Sequence, residues 1–107
     1  MDEILYDVEK TVSYEVACIK QKYGERYHSW HEAYGVLEEE ITEAVLEFES
    51  VKTGDIPLLR GIQRNDNATV LLALDMIANR AVRAASELIQ VAAVCRKALG
   101  GVEVQDK

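Results

Sequence analysis

The sequence predicts an all-α protein built as an up-and-down helical bundle. Among 107 residues there are one proline and six glycines, so few turns are available and the elements should be long. Apolar residues recur at steps of three and four through most of the chain, which is the helical period. The longest uninterrupted stretch, Ala68 to Leu99, contains neither proline nor glycine. The length suits one domain spanning residues 1–107.

The first helix is predicted over residues 3–23. Its apolar positions share one face, and Gly24 follows as a cap that can adopt a positive φ. The members of that face are Ile4, Leu5, Val8, Val12, Val16, Ile19 and Tyr23.

The second helix is predicted over residues 30–52. Ser29 followed three residues later by Glu32 forms a capping-box pattern at its start. Lys52 in the last turn suits the negative end of the helix dipole. One apolar stripe runs along the helix at steps of three and four and comprises Trp30, Tyr34, Leu37, Ile41, Ala44, Phe48 and Val51.

Residues 54–66 are predicted to be irregular, with a short helical turn near Pro57. Asp66 or Asn67 then caps a helix over 67–99, either continuous or bent near Asn79. This helix is apolar on more than one side, which is typical of a buried helix. A monomer of this size has difficulty covering it, so we expect a dimer or a higher even oligomer to complete the bundle. Residues 102–107 should be frayed.

The composition of the chain limits the classes of partner that we expect it to bind. The net charge is −7, which disfavours binding to a nucleic acid polymer, because such surfaces concentrate Lys and Arg. Cys18 and Cys95 lie in separate helical contexts and are expected to be reduced thiols. Neither a signal segment nor an apolar run long enough to span a membrane is evident, so we expect a cytoplasmic protein without membrane contact.

The acidic residues are the strongest candidates for a functional site. Glu40 and Glu43 stand one turn apart on the second helix, where like charges repel. Glu87 lies on the last helix and could face them if the two helices pack antiparallel in a bundle. Oxygen ligands of this kind suit Mg²⁺ or Mn²⁺, and Mg²⁺ normally bridges to phosphates. Attack of a metal-activated water on a phosphoryl group is the matching reaction.

These residues resemble the MazG-like all-α nucleoside triphosphate pyrophosphohydrolases, which include the dCTP pyrophosphatases. The family carries E-E-x-x-E on one helix and E-x-x-D on a later one. Glu39, Glu40 and Glu43 match the first motif. Glu87 matches the start of the second, but Gln90 stands where the family has Asp. His28 also precedes Glu40 at the spacing of a histidine in the dCTP pyrophosphatase branch.

The resemblance implies Mg²⁺-dependent cleavage of a nucleoside triphosphate to a monophosphate and pyrophosphate, as in nucleotide-pool house-cleaning enzymes or their phage counterparts. Glu40, Glu43 and Glu87 would be metal ligands, with Gln90 as a weak oxygen ligand. Glu39 would orient or deprotonate the attacking water.

Candidate residues for contacting the substrate are identified by their charge and their position in the sequence. Lys52, Arg80 and Arg83 are candidates for the phosphates. An aromatic and imidazole cluster at the start of the second helix could hold the base by stacking. Its members are His28, Trp30, His31 and Tyr34.

Each assignment has a simpler alternative. The glutamates could form a solvated acidic face, and Glu87 could pair with Arg83 four residues earlier. Trp30 and Tyr34 could be core residues, and the two histidines could be capping or surface residues. The alternative function is a non-catalytic helical oligomer that binds nucleotides or another protein, which Gln90 in place of Asp favours.

Overall fold

The computed structural model describes residues 2–104, which form four helices and no β-strand. Helix α1 spans Glu3–Tyr23, α2 Trp30–Thr53, α3 Asp55–Gln63 and α4 Asn67–Leu99. The prediction of an all-α fold is confirmed. The three long helices begin and end within one residue of the positions expected from periodicity and capping.

Capping contacts explain where α1 and α2 begin. The Asp2 carboxylate accepts a hydrogen bond from Leu5 N at 2.6 Å. At α2, Ser29 Oγ accepts from Glu32 N at 3.2 Å, and the Glu32 carboxylate accepts from His28 N at 3.0 Å. The capping box that the sequence predicted at this position is therefore present, with its return bond one residue before the cap.

The prediction of an irregular segment at 54–66 is wrong for most of its length, because α3 occupies Asp55–Gln63. Pro57 is compatible with this helix, since it lies in the first turn where a backbone N–H has no helical partner. Asn65 closes the segment with a φ of 53°, and Asp66 caps α4 by accepting from Thr69 N at 3.2 Å.

Helix α4 is continuous over 33 residues, so of the two arrangements left open by the sequence the unbroken one is found. A backbone free of proline and glycine explains this continuity. None of the described helices combines the length and apolarity needed to cross a membrane.

The expectation of a frayed tail is wrong for residues 102–104. Val102 is buried and forms an isolated parallel bridge with Tyr27. Glu103 N donates to Tyr27 O at 2.9 Å, and Val104 N donates to His28 O at 2.8 Å. These backbone bonds fix the segment, and residues 105–107 of the predicted tail lie outside the described part of the chain.

The chain divides into two compact units, whereas the sequence was interpreted as one domain. The first unit contains the residues up to Thr42 and those from Leu88 onward, and the second is Glu43–Glu87. Helices α2 and α4 contribute residues to both. The core of the first unit contains Tyr27, Ala33, Val94 and Val102.

The second unit packs through its smallest side chains. Its buried residues are glycines and alanines, so the helix backbones approach one another closely. They are Ala44, Gly54, Gly61, Ala73 and Ala84. Its large apolar side chains are mostly exposed instead and include Val45, Leu46, Phe48, Ile56, Leu59, Ile62, Leu71, Leu72, Leu74 and Val82.

The apolar stripe predicted for α2 is only partly packed, because Ala44 is buried and Leu37 is half-buried while its aromatic members are exposed. Trp30, Tyr34 and Phe48 are 42%, 65% and 56% exposed. Core packing, the simpler interpretation of Trp30 and Tyr34, is therefore not what the chain by itself shows. The packed face of α2 instead carries Ala33, Ala44 and neighbouring half-buried residues that include glutamates.

The close approach at Gly54 predicts a packing defect on substitution. A Cβ at this position would lie 2.6 Å from Ile77 Cγ1. We expect Gly54→Ala to lower the free energy of unfolding by about 1–3 kcal/mol, the usual cost of overpacking. Chemical denaturation monitored by circular dichroism measures this.

Gly35→Ala is the matched control. A Cβ at Gly35 meets nothing within 4 Å, and the residue lies inside α2. Alanine should therefore raise stability there by about 0.5–1 kcal/mol. Equal effects of the two substitutions would contradict the proposed steric difference.

Candidate functional site

Two glutamates from distant parts of the chain meet in the second unit. A carboxylate oxygen of Glu43 on α2 and one of Glu87 on α4 lie within 4.8 Å of each other. Glu87 is half-buried, whereas Glu43 is exposed. Burial, followed by the charge and a hydrogen bond of Glu43 and the charge of Glu47, raises the pKa of Glu87.

Two further glutamates extend this acidic surface along α2. Glu40 precedes Glu43 by one turn along α2 and is half-buried. Glu47 follows Glu43 by one turn and is half-buried. The apposition of Glu87 to Glu43, which the sequence could only suggest, is therefore present, and the acidic surface is denser than E-E-x-x-E alone indicates.

The donor set can be tested against the metal that the sequence suggested. Glu40, Glu43 and Glu87 offer only carboxylate oxygens, which are suitable ligands for Mg²⁺ or Mn²⁺ and poor ones for softer metals. Burial and then the charge of Glu43 raise the pKa of Glu87, and a divalent cation would favour the ionised form of this carboxyl.

Gln90, at the position of the family's Asp, has a defined partner in the first unit. Its amide nitrogen Nε2 donates to Glu15 Oε1 on α1 at 2.9 Å. The side chain thus links α4 to α1. This contact concerns the amide nitrogen and leaves the predicted role of the Gln90 oxygen as a metal ligand untested.

The remaining polar candidates lie on exposed surface. Glu39, Lys52 and Arg83 are all exposed. Arg80 differs, because its Nη1 donates to the backbone oxygen of Ser50 at 2.9 Å within the second unit. This bond gives Arg80 a structural role in joining α4 to α2.

The four residues of the predicted base-binding cluster lie outside the lining of the cleft in the first unit, which is described in the next paragraph. His28 Nδ1 lies 3.4 Å from the Glu103 carboxylate, and His31 is exposed. Trp30 and Tyr34 are also exposed. None of these four residues lines the cleft.

A cleft of about 600 Å³ in the first unit was missed by the sequence reasoning. Its most unusual member is Lys97, which is 2% exposed and lies 4.1 Å from the centre of the Tyr27 ring. Burial, and then the charges of Glu32, Glu40 and Cys95, raise the pKa of Tyr27. The only signal in the sequence was a lysine embedded in the apolar end of α4. The lining residues are Glu15, Cys18, Ile19, Lys22, Tyr23, Tyr27, Glu32, Val36, Glu40, Gln90, Val94 and Lys97.

Comparison of the chain with known proteins identifies no similar protein. No protein-family model, curated protein or solved structure that was compared with the chain matches it. The resemblance to the MazG-like enzymes accordingly rests on the motif residues alone. Their side-chain arrangement is the basis for proposing a function.

The raised pKa of Glu87 predicts how stability depends on pH. Folding is favoured while this carboxyl is protonated, so the advantage is present below its usual pKa of 4.5 and is lost as the pH rises through the higher folded value. Glutamine carries no charge at any pH, so it avoids the cost of an ionised carboxyl at this position. With a chelator present to remove metal ions, Glu87→Gln should therefore unfold at a higher denaturant concentration than the natural chain at pH 7. The two should converge as the pH falls to about 4.

Glu49→Gln serves as the control, because it removes one charge from an exposed position of α2 in the same unit. It should shift the denaturant midpoint at pH 7 less than Glu87→Gln does. Identical midpoints for the two variants across the pH range would contradict a specific repulsion at Glu87.

Proposed function

We propose that this chain is a Mg²⁺-dependent nucleoside triphosphate pyrophosphohydrolase of the MazG-like type, acting on the cytoplasmic nucleotide pool. The observation that carries the proposal is the approach of a Glu87 carboxylate oxygen to one of Glu43 within 4.8 Å. Glu40 precedes Glu43 by one turn along α2. These are the positions at which the two family motifs place metal ligands. Cleavage would fall between the α and β phosphates and give a monophosphate and pyrophosphate.

The proposed roles follow from the donor types. Glu40, Glu43 and Glu87 would hold Mg²⁺, with Mn²⁺ as a substitute. The bound ion would neutralise phosphate charge and acidify a water molecule. Glu39, next to Glu40 in the chain, would orient that water or accept its proton. Lys52 and Arg83 are exposed cations of the second unit that could contact phosphate oxygens.

Pyrophosphate release tests this proposal directly. With Mg²⁺ present, the chain should release pyrophosphate from at least one common nucleoside triphosphate. Glu43→Gln removes a charged ligand of nearly the same size and should reduce kcat/KM by about 100-fold or more, since even loss of a group that only orients a metal ligand typically costs 10–100-fold. A coupled colorimetric assay measures the rate.

Glu49→Gln is again the matched control and should retain activity, because Glu49 lies on the same helix outside the acidic surface. Absence of release with either Mg²⁺ or Mn²⁺ would remove the enzymatic function. Equal rates for the two variants would show that any observed release does not depend on the proposed ligands.

A second candidate function is a non-catalytic module that binds nucleotides or a protein partner. The observation favouring it is the hydrogen bond from Gln90 to Glu15, because this position carries a neutral amide engaged with α1 instead of a fourth carboxylate. Such a protein would be stabilised thermally by Mg²⁺ and nucleotide in a Glu43-dependent manner without releasing pyrophosphate.

We also propose that the chain associates with itself through the exposed apolar faces of α2, α3 and α4. Within the second unit the large apolar side chains point outward while only glycine and alanine are buried. Contiguous apolar surface of this kind marks an interaction site. A second copy of the chain offers a matching apolar surface, and a two-fold arrangement pairs the same surface on both subunits.

Replacement of an exposed leucine tests this association. Leu72 is 62% exposed on α4, and Leu72→Lys would place a charge in the proposed interface. Light scattering should give the natural chain a mass at least twice its 12.0 kDa, and the variant a lower mass. Glu49→Gln, which changes the net charge by the same amount, should leave the mass unaltered. A natural chain of 12.0 kDa would refute the proposal.

A further inference from the structure

The part of α2 that belongs to the first unit presents an exposed face of aromatic, aliphatic and acidic side chains. Trp30, Tyr34, Glu38 and Ile41 follow one another at steps of four and three, so they lie on one side of the helix. Trp30, Tyr34 and Ile41 are 42%, 65% and 43% exposed. Glu38, between Tyr34 and Ile41 in the sequence, is also exposed. These four residues, here called the acidic-aromatic face, cover about three helical turns, a length along which a second helix can lie.

The charge of the chain is concentrated on this helix. Residues 27–51 contain seven glutamates and no lysine, arginine or aspartate, so this segment carries a charge of −7, which equals the net charge of the whole chain. Acidic and basic residues elsewhere in the sequence therefore balance one another. Glu39 is exposed next to Glu38, so the aromatic rings are bordered by two successive carboxylates. The electrostatic complement of such a face is a partner of positive charge.

A second copy of the chain is poorly matched to the acidic-aromatic face. In a two-fold contact the same surface meets itself, so residues near the axis oppose their own copies. Glu38 and Glu39 would then approach carboxylates of the same charge, which is unfavourable. The self-association proposed above uses apolar side chains of the second unit and does not involve this face.

We infer that the acidic-aromatic face docks a basic amphipathic helix of another protein. Apolar side chains of that helix, at steps of three and four, would pack on Trp30, Tyr34 and Ile41. Its lysine or arginine side chains would pair with Glu38 and lie over the aromatic rings, since these cations are attracted both to a carboxylate and to the face of a ring. The inference does not depend on the proposed pyrophosphohydrolase activity, because it involves no residue of the second unit.

The fluorescence of Trp30 tests this docking directly, because Trp30 is the only tryptophan of the chain. A synthetic helical peptide of about 15 residues, roughly four turns, carries lysines on one side and leucines on the other and lacks aromatic residues. When it is titrated into the full chain, the emission of Trp30 should move to shorter wavelength, with a dissociation constant of about 100 µM or tighter. The affinity should fall as salt is added, since exposed charges are screened.

A peptide with glutamates in place of the lysines is the control and should not bind. No saturable shift up to about 1 mM of the basic peptide would overturn the inference. Equal binding of the basic and the acidic peptide would overturn it as well, because the face would then select apolar surface without regard to charge.

Two matched pairs of variants locate the contact. Tyr34→Ala removes a ring and Glu38→Gln a charge from the acidic-aromatic face, and each should weaken peptide binding by about threefold or more. Tyr14→Ala removes an exposed tyrosine of α1, and Glu25→Gln removes an exposed acid of the first unit outside α2. All four positions are exposed, so the variants should fold, which circular dichroism checks. Losses as large in the two controls as in the two face variants would contradict the proposed location.

Light scattering distinguishes another protein from a second copy as the occupant of this face. Tyr34→Ala should leave the mass of the chain unaltered. If Tyr34→Ala lowers the mass in the way expected for Leu72→Lys, copies of the chain meet through the acidic-aromatic face and the inference is overturned. Amide shifts of the ¹⁵N-labelled chain on adding the basic peptide should centre on residues 30–41, and shifts confined to the second unit would overturn it too.

Discussion

Close packing of glycine and alanine determines how the second unit is organised. Ala44 and Ala84 are buried on α2 and α4, and each lies within three residues of a glutamate of the acidic pair. Side chains this small let helix backbones approach closely, and carboxylate oxygens of Glu43 and Glu87 lie within 4.8 Å of each other. The pKa of Glu87 is raised first by burial and then by the charge of Glu43.

The first unit is held by a different kind of interaction. Polar contacts join α1 to α4, including Gln90 to Glu15 and the paired bonds of 2.7 and 2.8 Å from Arg96 to Glu9. Polar side chains at this helix contact coexist with a small apolar core around Tyr27 and Val94 and with the open cleft beside it. The unit therefore holds a charged group, Lys97, in its interior over the ring of Tyr27.

The helices could be predicted from the sequence because their signals are local. Capping by Ser29 and Asp66 involves residues three positions apart, and periodicity needs only one helix. The sequence could not predict what the apolar stripe of α2 packs against. Amphipathicity does not reveal whether an apolar face contacts the same chain or another one. For the same reason the motif identified Glu40, Glu43 and Glu87 as candidates but not the tertiary contacts of Gln90 or Lys97, which depend on α1.

Two features of the second unit are unfavourable for a chain alone. Its carboxylates repel one another, and its large apolar side chains contact water. Neither cost is an unavoidable result of the fold, since glutamine at position 87 or polar residues on the outer faces would leave the glycine and alanine packing intact. A cation would remove the first cost and a second copy of the chain the second. The two proposals made for this unit therefore share one physical basis, which is that each supplies a contact that would offset one of these two costs.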